Sequence, residues 1–404
     1  MIADNSRPGA PCSIAATGLG LAAFVVAAAR GFLPRGEAAA RTLATLRFLR
    51  DSRQGEEPDA TGHRGFYYHF LDLATGRRIW DCELSMIDTA ILIAGVLTSG
   101  RYFAAGADDE REVRQLAGFL YERIDWPWAL NGGRVMSMGW KPGAGFLHYG
   151  WEGYSEAMLL YLLALGSPTH PLPAASYAAW TAPFLWENLY DLDLLFAAPL
   201  FVHQLSHLWI DFRGIQDPFM REKRSDYFEN SRRATLVQQR YAVRNPKWFA
   251  GYGENCWGIS AGPGPGFCKQ LAAGGIERQF YGYVARGVPF GPDDGTLAPC
   301  ATVASLPFAP EIVLPALEHF RSAYPQVLSD DGLLTSFNPS FDSGDGSRGW
   351  LCGEHYGLDQ GPLMMMIENY RSDLLWDLMR DCPAIVTGLR RAGFRGGWLR
   401  SSGR

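Results

Sequence analysis

The chain reads as an all-α protein, an (α/α)6 toroid whose long loops form a cleft on one face, and three observations carry that reading. Apolar helical runs bounded by Gly, Pro, Asp or Ser recur along the sequence, roughly a dozen in all. Five longer stretches rich in Gly, Pro and aromatic residues lie between them, too aromatic for disorder and too long for simple connections. No fixed repeat period and no Pro/Ser-rich linker divides the sequence. Six helical hairpins around an axis suit that count better than a four-helix bundle or a solenoid, so one catalytic domain over 1–404 is expected, with chemistry at the loop face.

Taken in order, the helical segments begin with 13–30, where SIAATGLGLAAFVVAAA is apolar on all sides. The stretch before it holds one Arg and no Lys, and the run is short for a membrane span, so a buried core helix is expected, with a signal or anchor as the alternative. Segment 37–50 follows. FYYHFLDLATGRRIW (66–80) alternates in the manner of a small hairpin turning near Thr75 and Gly76. Further helices are expected over 84–103, 109–124, 151–165, 173–186, 198–209, 217–242, 308–323, 360–370 and 373–391. The loops are 52–82, 125–150, 244–268, 283–307 and 331–359.

Of 404 residues, 47% are apolar and 20% charged, and Lys+Arg 37 against Asp+Glu 42 gives a net charge of -5. This is a soluble globular composition; it predicts no nucleic-acid partner and no membrane partner, and it leaves the oligomeric state open. Aromatic residues are the outlying class, with 13 Trp, 17 Tyr and 23 Phe, which supply core volume and also stack on the apolar faces of sugars. Seven scattered Cys with no C-x-x-C pair argue against a disulfide framework and a structural zinc site. A reducing, cytoplasmic location is expected, periplasmic if a signal is missing.

Four segments combine carboxylates with aromatic residues. In WDCELSMIDTA, Asp81 reads as dipole complement or cap, whereas Asp88 falls inside an apolar run where an unpaired carboxylate is unfavourable. GWEGYSEAMLLY places Glu152 and Glu156 four apart, on one face of the expected helix, with Glu156 a turn deeper where burial would raise its pKa toward a general acid's range. Trp151 and Tyr154 flank them. In HQLSHLWIDFRG, His203 and His207 are four apart without an intervening acid, so core or hydroxyl-binding histidines are expected rather than metal ligands. Trp209, Asp211 and Arg213 follow, the last two as a pair that is either structural or sugar-binding. WLCGEHYGLDQGP brings Trp350, Glu354, His355, Asp359 and Gln360, with Asp359 an N-cap or a catalytic acid ahead of Pro362. GYGENCWG adds Glu254, Asn255 and Trp257 on a loop.

The sequence lacks G-x-S-x-G, a P-loop and G-x-G-x-x-G after a strand, and AGPGPG (261–266) has Pro where phosphate-binding N–H groups would be needed. Paired acids among aromatic rings remain, the equipment of glycoside cleavage, in which one carboxylic acid protonates the leaving oxygen and one carboxylate activates water or attacks.

Several long motifs in order, among them ELSMIDTAILIAGVL, GWEGYSEAMLLYLLALGSPTHP, SHLWIDFRG, DYFENSRRATLVQQRYA, DGTLAPCATVASLPFAPE and LDQGPLMMMIENYRS, resemble the bacterial glycoamylase-like family. That family includes the endo-β-1,2-glucanases of glycoside hydrolase family 144, and the likeness runs from about Ser13 to Tyr370. The resemblance implies an (α/α)6 barrel and hydrolysis or transfer of β-1,2-glucan or a related β-glucoside. It makes 13–30 the first barrel helix rather than a cleavable signal. It places Glu156 at the general acid and Asp359 at the base; Asp88 falls where the glucanases tend to carry Glu, and Ser85 where they have Asp. The transglycosylase domain of cyclic β-1,2-glucan synthases shares the fold, so the resemblance also implies a retaining transglycosylase as an alternative, and a non-catalytic glycan-binding protein is a third reading.

The expected site is therefore Glu156, Asp359 and Asp88 as catalytic carboxylates. Trp151, Tyr154, Trp209, Trp257 and Trp350 are the expected sugar-stacking rings, and His207, Asp211, Arg213, Asn255 and Gln360 the hydroxyl-binding groups. No cofactor and no metal is expected; the partner is an oligo- or polysaccharide.

Overall fold

The computed structural model describes residues 1–104, 106–271, 276–344 and 349–400. Among the described residues there are thirteen α-helices: α1 Ile14–Ala29, α2 Arg35–Asp51, α3 Met86–Tyr102, α4 Asp108–Glu122, α5 Ala157–Gly166, α6 Ala174–Thr181, α7 Pro218–Glu222, α8 Tyr227–Arg244, α9 Pro299–Ala304, α10 Pro310–Ala323, α11 Gly357–Ser372, α12 Leu374–Arg380 and α13 Pro383–Arg391. The chain forms two compact units, one of residues 1–184, 206–227 and 372–404, the other of 185–205 and 228–371. Neither is a continuous stretch of sequence, so no single cut separates them.

The helical runs differ from the sequence expectation at their breaks. Gly153 takes φ 78, a left-handed conformation that cannot continue a helix, so α5 starts at Ala157 rather than at 151. Segment 198–209 forms two 3-10 turns, Leu200–His203 and Leu205–Leu208, after Pro199. Arg224 at φ 52 divides 217–242, Pro383 divides 373–391, and α9 lies in a stretch expected to be loop. The all-α expectation also omits short antiparallel pairs within the long loops. The largest sheet has five strands in the order Gly62–His63, Phe66–Tyr68, Leu84–Ser85, Gly139–Lys141 and Gly145–Phe146. The expected hairpin is present: Leu71 pairs with Arg78 around Thr75 and Gly76.

In the first unit, α3 is apolar all round and buries every residue from Asp88 to Gly100, the signature of a core helix. It packs against α1 at a glycine crossing. A Cβ on Gly95 would overlap the Gly18 carbonyl and one on Gly18 would overlap the Ile91 carbonyl, so the backbones approach as closely as two helices can. α5 meets α13 in the same way, with Gly166 against Ala384 and Gly388 against Leu162. These approaches bring long apolar side chains such as Leu92 and Leu162 to full burial, each contributing about 1.5–3 kcal/mol. Among the described residues no helix is long and apolar enough to cross a membrane.

The second unit packs α9, α10 and the segment 249–259 around Trp257, Ile259, Phe320 and Phe337. Its irregular segments are tied by a buried ion pair: Arg286 Nε lies 2.8 Å from Asp294 Oδ1, and the same guanidinium donates to the carbonyls of Gly262, Tyr281 and Gly282. Each of the three guanidinium nitrogens has an acceptor, which is what makes a buried guanidinium tolerable.

Candidate active site

In the first unit the five-stranded sheet feeds directly into α3, and that junction assembles a cluster of charged groups. Ser85 ends a strand and caps α3: its Oγ accepts the Asp88 N–H at 3.2 Å and donates its own proton to Asp88 Oδ2. Asp88 is thereby fixed at 7% exposure. The pairing of Tyr67 with Ser85 sets His69 beside Glu83, and the His69 N–H bonds the Glu83 carbonyl at 3.0 Å. The imidazole spans two acids, with Nδ1 2.9 Å from Glu83 Oε1 and Nε2 3.6 Å from Asp88 Oδ2.

The electrostatics follow from that geometry. Burial alone would pull the His69 pKa down, but the Asp88 charge, the hydrogen bond and charge of Glu83 and the charge of Asp4 together push it up to about 9. His69 is an imidazolium at neutral pH, and both ring nitrogens act as donors. The Glu83 carboxyl is lowered by the His69 hydrogen bond against the opposing effect of burial. Asp4 is raised, chiefly by burial and with help from Asp88, against the hydrogen bond from Asn5 and the charge of His69.

Glu156 occupies the N-cap position of α5 at φ -58, ψ -14, and its side chain makes no capping bond. A helix N-terminus favours an anion there. Burial outweighs that preference and the bond with its own backbone, the Asp88 charge adds to it, and the pKa rises to about 7. Glu156 thus carries its proton at mildly acidic to neutral pH, which is what a general acid requires. The expected helical pairing with Glu152 is absent: Glu152 is exposed and lies in the loop before α5, so the two acids do not share a helix face.

In the second unit Asp359 is partly exposed and is the third residue of α11, with its N–H bonded to the Tyr356 carbonyl at 3.0 Å. The helix starts at Gly357 rather than at 360, so Pro362 sits inside it instead of in its first turn. Gln360 Nε2 donates to the Leu333 carbonyl at 2.8 Å, and the same carbonyl lies 3.1 Å from His355 Nδ1. Two buried thiols feel Asp359: burial first and then its charge raise Cys300, and burial first, with the Glu354 and Asp359 charges, pushes Cys352 up to about 11.

The remaining expected residues fall into two groups. Tyr154, Trp350 and Asn255 are partly exposed. The others are taken up by the fold. Trp209 and Trp257 are fully buried, so protein atoms cover the faces expected to stack on sugar, and Trp151 is 9% exposed. His207 is buried edge-on against Phe212 at 4.8 Å, and its carbonyl accepts from Trp376 Nε1. Asp211 and Arg213 form the structural alternative: Arg213 pairs with Asp211 at 2.7 Å and Asp373 at 2.8 Å over the Trp376 ring, and Arg380 closes on Asp211. His203 is fully buried against the Ala197 carbonyl, and its pKa is pulled down to about 4 by burial. Among the described residues no three His, Cys, Asp or Glu side chains are placed to hold a metal ion. His69 and Asp4 were not expected as site residues, whereas Glu83 belongs to the carboxylate segment WDCELSMIDTA; the pairing of Phe66–Tyr68 with Leu84–Ser85 is what brings His69 to Glu83 and Asp88.

The model of the Glycoamylase family matches residues 148–383, more than half of the chain. An exo beta-1,2-glucooligosaccharide sophorohydrolase (non-reducing end) from Parabacteroides distasonis is 27% identical over 96% of this chain and 54% of its own length. The chain therefore spans about half the length of that relative. The solved endo-beta-1,2-glucanase of Chitinophaga pinensis, in complex with sophorotriose and glucose, superposes with TM-score 0.83 at 27% identity over 96% of this chain and 89% of its own. A beta-1,2-glucanase of Parabacteroides distasonis superposes with TM-score 0.82 at 25% identity over 95% and 55%. Carrying the family's sequence pattern from before Glu156 to beyond Asp359, this chain belongs to the Glycoamylase family.

Proposed function

We propose that this protein is a glycoside hydrolase that cleaves β-1,2-linked glucan or its oligosaccharides. The observation that carries the reading is Glu156, a carboxyl raised to about 7 at the head of α5, in a chain similar to an exo beta-1,2-glucooligosaccharide sophorohydrolase and to an endo-beta-1,2-glucanase. Glu156 donates its proton to the glycosidic oxygen as the bond to the anomeric carbon breaks, and the leaving sugar departs as a neutral hydroxyl. Asp88 serves as the charge that keeps that proton on Glu156. Asp359, partly exposed in the first turn of α11, is the second carboxylate, which takes a proton from water or attacks the anomeric carbon. Tyr154, Trp350, Asn255 and Gln360 remain the candidate sugar contacts. The (α/α)6 toroid is part of the same proposal, supported by the thirteen helices among the described residues and by the likeness to the Chitinophaga enzyme. A reducing location is supported by seven unpaired cysteines.

The test is release of new reducing ends from β-1,2-glucan, with β-1,3, β-1,4 and α-1,4 glucans as controls. Glu156→Gln and Asp359→Asn should each keep the fold and lose roughly two to four orders of magnitude in kcat. Full activity of Glu156→Gln on a poor leaving group removes Glu156 from its role. Saturable binding without new reducing ends makes the protein a glycan binder, and longer products without net hydrolysis make it a transglycosylase. Polarimetry of the first product gives the anomeric outcome and hence the role of Asp359.

A further inference from the structure

The turn Ile79–Cys82 holds two consecutive non-glycine residues in the left-handed region, Trp80 at φ 56 and Asp81 at φ 52, closed by a Cys82 N–H to Ile79 carbonyl bond of 3.1 Å. This φ pattern is that of a type I′ turn, which ordinarily takes Asn and Gly because a bulky side chain is strained there. The turn is held against that strain from several sides. The buried Arg78 donates to the Cys82 carbonyl at 2.6 Å, pairs with Asp81 at 2.9 Å and lies over the Tyr68 ring at 4.7 Å, while the Cys82 thiol bonds the Phe70 backbone.

The molecule contains an internal comparison. Tyr190 and Asp191, at φ 52 and 63, close the hairpin of Leu189 and Leu192 with the same pattern. There the ring has a structural use: Arg244 covers it at 4.4 Å and it packs on the core of the second unit. Trp80 has no such cover, being 70% exposed. Its ring instead lies 5.3 Å from Phe70, Phe70 stacks on His69 at 3.9 Å and 12°, and His69 Nε2 is 3.6 Å from Asp88. A row of rings thus leads from solvent to the charged cluster, and strain held for a single ring contact and little burial points to a functional role for the ring.

We propose that Trp80, backed by Phe70, is a stacking platform for a pyranose ring of a neutral glucan chain, one or two sugar units away from the scissile bond. The indole face matches the apolar C–H face of the sugar, and the adjacent Asp81 carboxylate, 84% exposed as a side chain, accepts hydroxyl hydrogen bonds. The three acids that act on His69, namely Asp4, Glu83 and Asp88, outnumber that one cation, which disfavours an anionic polysaccharide. The inference rests on the hydrolase reading for the identity of the glucan but not for the existence of the platform.

The experiment measures kcat and KM of wild type, Trp80→Ala and Trp80→Phe on β-1,2-gluco-oligosaccharides of increasing length, with direct titration of binding. Trp80→Ala should raise KM by roughly tenfold on the longer chains, leave the shortest cleaved substrate and kcat nearly unchanged, and be largely rescued by Trp80→Phe. Its melting temperature should match wild type because the ring is exposed. Equal KM and binding for wild type and Trp80→Ala at every length overturns the platform and leaves the hydrolase reading standing. Wild type that binds a glucan without cleaving it, with binding weakened by Trp80→Ala, supports the platform and refutes the hydrolase. A wild-type protein that binds none of the glucans overturns both.

Discussion

The imidazole of His69 stands between two carboxylates at the start of α3, 2.9 Å from Glu83 just ahead of the helix and 3.6 Å from Asp88 in its first turn, so an imidazolium neutralises the acid that lies closest to the cap of that helix. The arrangement has consequences for pH dependence because Asp88 also acts on Glu156.

Replacing Asp88 with Asn removes a negative charge that holds the Glu156 proton. The alkaline limb of the rate profile, set by deprotonation of Glu156 near pH 7 in the wild type, should move to lower pH, with the loss of rate greatest at neutral pH. A profile in Asp88→Asn that coincides with wild type at all pH values would show that Asp88 is not coupled to the acid.

Glu156 trades stability for function. Its folded pKa of about 7 lies above the 4.5 of an ordinary glutamate, so the folded state binds the proton more tightly, and the associated stability is present below pH 4.5 and lost as pH rises through 7. Glu156→Gln should match wild type near pH 4 and exceed it by about 2–3 kcal/mol at pH 8. Denaturant midpoints at the two pH values check this; an equal gap at both would mean that the carboxyl is not buried as described.

His69 has the same sign with a later window. Its pKa of about 9 against 6.5 means that its stabilisation is complete below pH 6.5 and disappears as pH rises through 9. His69→Gln should therefore be less stable than wild type by up to about 3 kcal/mol at pH 6, with the gap closing toward pH 10. Melting temperatures taken across that range decide the matter, and a gap independent of pH would assign His69 a packing role alone.

Gly95→Ala separates propensity from packing. In an exposed helix interior the change would stabilise by up to about 1 kcal/mol. Here the new Cβ meets the Gly18 carbonyl, so α1 and α3 must move apart, and a net destabilisation of about 1–3 kcal/mol is expected. A melting temperature equal to or above wild type would show that the crossing is looser than its geometry indicates.

Much was legible in local pattern. The continuous apolar runs of α1 and α3, the amphipathic pattern of α10 and the turn at Thr75 and Gly76 depend on neighbours a few residues apart, and their physical signals lie in the sequence itself. The burial of Asp88 and the raised pKa of Glu156 were also readable, since Asp88 falls inside an apolar run and Glu156 stands at the head of one. The start of α5 was not, because one left-handed glycine, Gly153, overrides the helical preference of the residues around it.

What the amino-acid order settled by itself was most of the helical runs and the family pattern, both properties of short segments. Tertiary structure alone decided which aromatic rings are core and which are surface, turned Asp211 and Arg213 into an internal ion pair, and set His69 between Glu83 and Asp88. Those outcomes depend on strand pairing and burial between residues distant in sequence, and a charge or ring carries no local mark of which neighbour the folded chain will bring to it.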